Sequence, residues 1–247
     1  MKITFLGTSH GVPAKDRFCS GYMIEAGDAT YLVDAGAPVA DLVLRHGKQI
    51  TDVRAIFATH VHGDHTAGIY HIADLVNWYY KTHTMDIYIP EQACIDAIKN
   101  LILACEPRHP IHEDRLRFHL TDVEAGYRDN NISLSYIPTK HLIEPHVANS
   151  ILITEGEKRI LFGGDFSHQL AKADVPAIIA KEPIDAFVCE MAHFYPEHIL
   201  PYLKECKVKD LYFTHVFPLE KYDMIEEMKK ELPCRVHTPN DGDSIII

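Results

Sequence analysis

The stretch IFATHVHGDHTAG, residues 56–68, places His60, His62, Asp64 and His65 within six positions directly after an apolar run. Imidazoles and carboxylates at this density are the donors of a divalent-metal site. If the chain leaves a strand over 53–59 still extended, side-chain alternation sends His60, His62 and Asp64 to one side, where two imidazoles can meet one ion. Gly63 permits a tight turn. A helix from about Thr66 would then hold Asp64 and His65 near its positive end, where they could serve a second ion.

A zinc-type ion takes four to five ligands and, in a catalytic site, leaves one position for water. The HxHxDH string must therefore recruit donors from elsewhere. Three later strands end in donor side chains: His141 follows YIPTK, Asp165 follows ILFGG, and His215 follows LYFT. Each repeats the pattern of Thr59-His60, a buried strand closing on a ligand-type residue. Strand ends converging on one rim are how open α/β layers assemble sites. His146, in the same segment as His141, is the alternative third donor, and His141 is preferred because it exits directly from YIPT. Asp34, in YLVDAG, is read either as a carboxylate that orients a ligand imidazole or as a turn residue before Gly36.

Those donors need a scaffold of strands. Apolar runs at 2–7, 20–26, 30–36, 53–59 and 85–89 read as strands, with helices over 37–47, 67–82 and 91–106. Segment 107–120 has no clear periodicity. Its Arg108, Arg115 and Arg117 fit a solvated connector better than a lid over substrate. The second half repeats the theme: strands over 132–138, 150–156 and 158–164, a helix over 173–182, a strand over 184–190, a helix over 196–205 and a strand over 208–215. A helix over 218–232 and a final strand pair near 234–238 and 243–247 close the chain. Two strand-rich halves, each finishing in helices, predict an α/β architecture with two sheets packed face to face and helices outside. With no low-complexity linker, residues 1–247 are expected to form one domain.

Composition narrows the function. The 47% hydrophobic fraction is dispersed in short runs, none approaching the roughly 20 residues of a membrane span. The opening MKITFLGTSHG reads as a first strand rather than a leader, so the cytoplasm is the expected compartment. Six scattered cysteines contain no CxxC pair and signal neither a disulfide framework nor a zinc knuckle. A formal charge of −11 argues against docking on long nucleic acid. Seventeen histidines exceed the usual share of a soluble chain and direct attention to a metal site. Trp78, Tyr79 and Tyr80 close the second helix and could mark a homodimer contact, although core packing accounts for them more simply.

The HxHxDH string, the later His, the GD and the TH after strands together resemble the metallo-β-lactamase superfamily of dinuclear hydrolases along essentially the whole chain. The resemblance implies a four-layer αββα sandwich. It implies two divalent ions, zinc first with manganese or iron as alternatives. One would be held by His60, His62 and His141, the other by Asp64, His65 and His215, with Asp165 bridging. Such a pair lowers the pKa of bound water from 15.7 toward about 7 and so supplies a hydroxide nucleophile at neutral pH.

FLGTSHGVP further resembles the opening of the superfamily's phosphodiesterase branch, which includes ribonuclease Z and a cyclic-ribose phosphodiesterase. In that branch a histidine near the strand AFVCE protonates the leaving alkoxide. Here the residue is His193, which joins Asp64 as a catalytic candidate; His168 is a second candidate, better read as a surface residue. Ribonuclease Z carries an arm that grips transfer RNA between motifs corresponding to His141 and Asp165, an interval that two strands fill here. The cysteine-rich N-terminal loop of the cyclic phosphodiesterase has no counterpart. The expected substrate is therefore a small or cyclic nucleotide-like phosphodiester. A glyoxalase II-type thioester or lactone hydrolase and a non-hydrolytic diiron redox module are the competing readings. β-Lactam hydrolysis ranks last, because that branch places another ligand where Asp165 stands.

Overall fold

The computed structural model describes residues 1–12, 14–170 and 174–247. Its first half runs β1 (Lys2–Gly7), β2 (Gly21–Ala26), β3 (Ala29–Ala35), α1 (Val39–Arg45), β4 (Val53–Phe57), α2 (Gly63–Trp78), β5 (Met85–Ile89), α3 (Gln92–Cys105) and β6 (Leu116–Leu120). The second half runs β7 (Tyr127–Arg128), β8 (Ser133–Thr139), β9 (Ala148–Glu155), β10 (Lys158–Phe162), α4 (Ile178–Lys181), β11 (Ile184–Met191), α5 (Pro196–Leu203), β12 (Val208–Val216), α6 (Lys221–Met228), β13 (Arg235–His237) and β14 (Ser244–Ile246).

Two seven-stranded sheets result, ordered β14-β1-β2-β3-β4-β5-β6 and β13-β12-β11-β10-β9-β8-β7. Period-two burial explains how they stack. On β3, Tyr31 and Val33 point to the facing sheet while Leu32 points to the helices; on β10, Ile160 and Phe162 point inward and Leu161 outward. Phe5, Tyr31, Phe57, Ile151, Ile153 and Val188 fill the space between the sheets. Burying each such side chain is worth about 1.5–3 kcal/mol, so the apolar stack is the principal bond between the sheets. Helices α1, α2 and α3 cover the outer face of the first sheet, and α4, α5 and α6 that of the second. The four-layer αββα sandwich is the predicted architecture.

Several local expectations are corrected. Helix α2 begins at Gly63, three residues before the predicted start, with His62 as its N-cap. The predicted helix over 173–182 is only the four residues of α4, and Ala173 lies outside the described residues. The helix over 218–232 is regular for Lys221–Met228 and then tightens into a 3-10 turn. The two C-terminal strands do not pair with each other: β13 joins β12, while β14 crosses to the first sheet beside β1. Within segment 107–120, β6 pairs in parallel with β5. Arg115 there caps the carbonyls of Val76 and Asn77 at the end of α2, and Arg117 pairs with Asp86. These arginines brace the sheet edge. Trp78 and Tyr79 are 44% and 60% exposed, so core packing does not account for them; Tyr80 alone packs on the core.

Pairing is parallel from β3 through β6 and from β10 through β13. The ends of β4, β8, β10 and β12 and the chain just past them therefore carry the predicted donors to one rim.

Candidate metal centre

His60 and His62 leave β4 before the chain turns into α2, whereas Asp64 and His65 sit in the helix's first turn. Alternation predicted Asp64 on the same side as the two histidines. The early helix start instead rotates it toward His65 and His215. Close packing makes this possible: a Cβ on Gly36 at the end of β3 would meet the Asp64 carbonyl at 2.2 Å. Helical dipoles place positive potential at this first turn, where Asp64 sits. His215, within β12, adopts φ +53°, as does Asp34 within β3. Non-glycine residues rarely occupy that region, and where they do the surroundings impose it, often at functional sites.

The donor atoms of His60, His62, His141 and Asp165 all lie within 4.8 Å of one another, as do those of Asp64, His65 and His215. Asp165 reaches into both groups. Its Oδ2 is 3.7 Å from His60 Nε2, 3.6 Å from His141 Nε2 and 3.6 Å from His215 Nε2, and its Oδ1 is 3.4 Å from His65 Nε2. Asp64 Oδ2 lies 3.4 Å from His65 Nε2 and 3.7 Å from His215 Nε2. Ligands about 2.05 Å from a tetrahedral ion stand about 3.3 Å apart, so these separations match donors around a cation rather than hydrogen-bonded pairs.

The orphaned atoms give the same answer. His60 Nε2, His65 Nε2 and Asp165 Oδ1 are buried with no hydrogen-bond partner among the described residues, an arrangement that costs free energy unless something fills it. Desolvation holds His60 and His141 below the ordinary imidazole range. Both thus favour the neutral, ligating form. Burial opposes charge on Asp165 and Asp64 too, but the surrounding histidines outweigh it and keep both carboxyls well below their usual range. His65 moves the opposite way, held protonated by Asp165 and Asp34 despite its burial. The donor set fits divalent metal.

Outer partners fix the ligand orientations. Asp34 Oδ2 lies 2.7 Å from His65 Nδ1 and also accepts from the Thr59 hydroxyl, while Oδ1 accepts from the Thr59 backbone N–H. This is the orienting role, not the turn role, of the two read from sequence. His141 Nδ1 donates to the Phe166 carbonyl and His215 Nδ1 meets the Ser20 hydroxyl. His146 is exposed and bonded to Glu91, so it is His141 that the fold brings to the cluster. His168 is exposed.

His193 stands over this assembly, its ring 4.6 Å from that of His141 and 5.9 Å from that of His215. Its Nδ1 is 2.8 Å from Glu190 Oε1, leaving Nε2 to the other side of the ring. Burial disfavours its charge, but the buried Glu190 carboxylate prevails and raises the imidazole to about 9. Glu190 escaped the sequence reading because a Glu closing a buried strand looks like an edge residue; its spacing of three from His193 was the available signal. Its other oxygen accepts the backbone N–H groups of Ala192 and His193.

Fold and donor geometry together define a metallo-β-lactamase-fold protein, and the ribonuclease Z homologues place it in the phosphodiesterase branch of that superfamily. Within that class the chain belongs to the family described as anti-Pycsar protein Apyc1, whose model matches residues 1–198. It is 31% identical over 146 residues to a ribonuclease Z of Picosynechococcus sp., covering 58% of this chain and 44% of that one. The chain thus spans less than half the length of that curated relative. Among solved structures it resembles the metallo-β-lactamase fold protein YhfI of Bacillus subtilis (20% identity, TM-score 0.79, 99% of this chain and 98% of that one). It also resembles the short form of human tRNase Z (19% identity, TM-score 0.74, 100% and 99%).

Proposed function

We propose that the chain is a dinuclear metal-dependent phosphodiesterase acting on a small or cyclic nucleotide-like phosphodiester. The observation that carries this reading is the Glu190–His193 pair beside two donor groups, one containing Asp165 and the other approached by it at His65 and His215. His60, His62 and His141 would hold one ion and Asp64, His65 and His215 the other, with Asp165 close enough to both groups to serve either. Divalent ions held there, zinc or alternatively manganese or iron, would supply Lewis acidity toward water and phosphoryl oxygen.

The protein's own residues then divide the remaining work. Asp64, kept ionised by His65 and His215, accepts a hydrogen bond from the attacking water. His193, protonated at neutral pH through Glu190, gives its Nε2 proton to the departing alkoxide, an assistance worth about 10²–10⁴-fold for a poor leaving group. Glu190 keeps Nδ1 occupied, so the transferable proton is the one on Nε2. The interval between His141 and Asp165 is filled by β9 and β10, which supports a small substrate over transfer RNA, as does the net charge of −11. The ribonuclease Z relative favours phosphodiester chemistry over thioester hydrolysis. A panel of cyclic nucleotides, bis-p-nitrophenyl phosphate, precursor transfer RNA and a glutathione thioester, assayed with metal-loaded protein, tests the proposal. Cleavage of small phosphodiesters supports it; thioester cleavage alone overturns it.

A further inference from the structure

Lys221 is 1% exposed, at the first turn of α6. Its ammonium has three N–H donors, and all three go to backbone carbonyls of one short turn: Met191 at 3.0 Å, Ala192 at 2.9 Å and Phe194 at 2.7 Å. None of those partners is a carboxylate. The Tyr195 ring lies 4.6 Å from Nζ. Burying an ammonium costs several kcal/mol unless its donors are satisfied, so an unpaired lysine here needs a reason that packing does not supply, since a methionine would fill the same volume.

The skipped residue is His193. Its own carbonyl accepts from the Gln169 N–H at 3.2 Å, and the N–H groups of Ala192 and His193 go to Glu190. Every carbonyl from 191 to 194 is thereby fixed, three of them by one cation. We propose that Lys221 is a positioning residue for proton donation: it clamps the 191–194 turn so that His193 presents Nε2 to the leaving oxygen. This rests on the phosphodiesterase reading for its chemistry but not for its geometry. Small displacements of a positioned group cost rate steeply. They do so only for reactions that need that group.

The test is Lys221→Met, with Lys221→Arg retaining the charge, both as metal-loaded protein checked by thermal melting and metal analysis. Alkyl-leaving phosphodiesters, which need an acid, should lose at least tenfold more kcat in Lys221→Met than p-nitrophenyl esters do, with KM little changed. Lys221→Arg should recover part of that loss. Lys221→Met added to His193→Ala should cost nothing further on alkyl esters. Equal losses on both ester classes, or additive losses with His193→Ala, would overturn the proposal. Hydrogen exchange over 190–195 gives a readout independent of turnover: exchange at Ala192 and His193 should quicken at least tenfold in Lys221→Met, and an unchanged rate would overturn the clamp. If the parent protein cleaves no phosphodiester, the functional reading fails while the exchange result still decides the clamp.

Discussion

Glu190→Gln isolates the charge that sets the proton donor. Glu190 is 2% exposed and its Oε1 lies 2.8 Å from His193 Nδ1, while the His193 side chain is 27% exposed. The pair raises the imidazole from 6.5 to about 9 against the opposing pull of burial. That difference corresponds to roughly 3 kcal/mol favouring the protonated ring. Removing the carboxylate charge leaves only the more distant Asp165 to raise the ring against burial, so the imidazole falls below its parent value. A raised imidazole pKa gives activity that is present below the pKa and lost as pH rises through it. The alkaline limb of the variant should therefore lie at least one pH unit below that of the parent, about a tenfold or greater loss on an alkyl-leaving substrate at pH above both midpoints. The assay is a pH–rate profile of kcat/KM on a cyclic nucleotide and on bis-p-nitrophenyl phosphate, at temperatures well under the variant's Tm. The separation between the parent and variant midpoints is the quantity to read. An alkaline limb that stays in place while activity falls equally at every pH would refute the reasoning.

Asp34→Asn removes the carboxylate that orients His65 and should weaken metal binding at the Asp64, His65 and His215 group about 10–100-fold; competition with a chelating indicator measures this, and unchanged affinity contradicts it. A Cβ at Gly68 would meet Val39 Cγ1 at 2.6 Å and the Ala35 carbonyl at 2.7 Å. Gly68→Ala should therefore cost about 1–3 kcal/mol in urea unfolding, and a gain of helix-propensity size would count against the packing. Asp129 accepts from Tyr31, Arg54 and Tyr127 and from the N–H groups of Asn131 and Ile132. Burial alone would raise its carboxyl, but these partners hold it well below the usual range. Its stabilisation is then present above the unfolded pKa of about 3.9 and lost as pH falls through the depressed folded value. Asp129→Asn should cost about 1–3 kcal/mol at pH 7, with the gap from the parent protein closing on acidification below about pH 4; a pH-independent gap would contradict this.

The seven candidate donors were legible because each lies at or just past the end of a strand, Asp64 and His65 in the helical turn that follows β4, and strands announce themselves through short apolar runs. Asp34 was half legible: its neighbours suggested a turn, and only the fold shows it reaching His65 across 31 positions. Lys221 was illegible for a plain reason. A lysine at the start of an amphipathic helix reads as solvated, and the three carbonyls it holds lie 27 to 30 residues upstream. The crossing of β14 to the first sheet was hidden likewise, since SIII carries β-propensity without naming a partner strand. Local pattern reports an element's type; sheet membership depends on the whole hydrophobic stack.

The central claim is that seven side chains from distant segments form two adjoining sites for divalent ions. Anomalous scattering at the zinc edge from crystals grown with zinc tests it most directly. The account predicts two peaks roughly 3.5–4 Å apart, one among His60, His62 and His141 and one among Asp64, His65 and His215, with Asp165 between them. A single peak, or two peaks away from these residues, would contradict it.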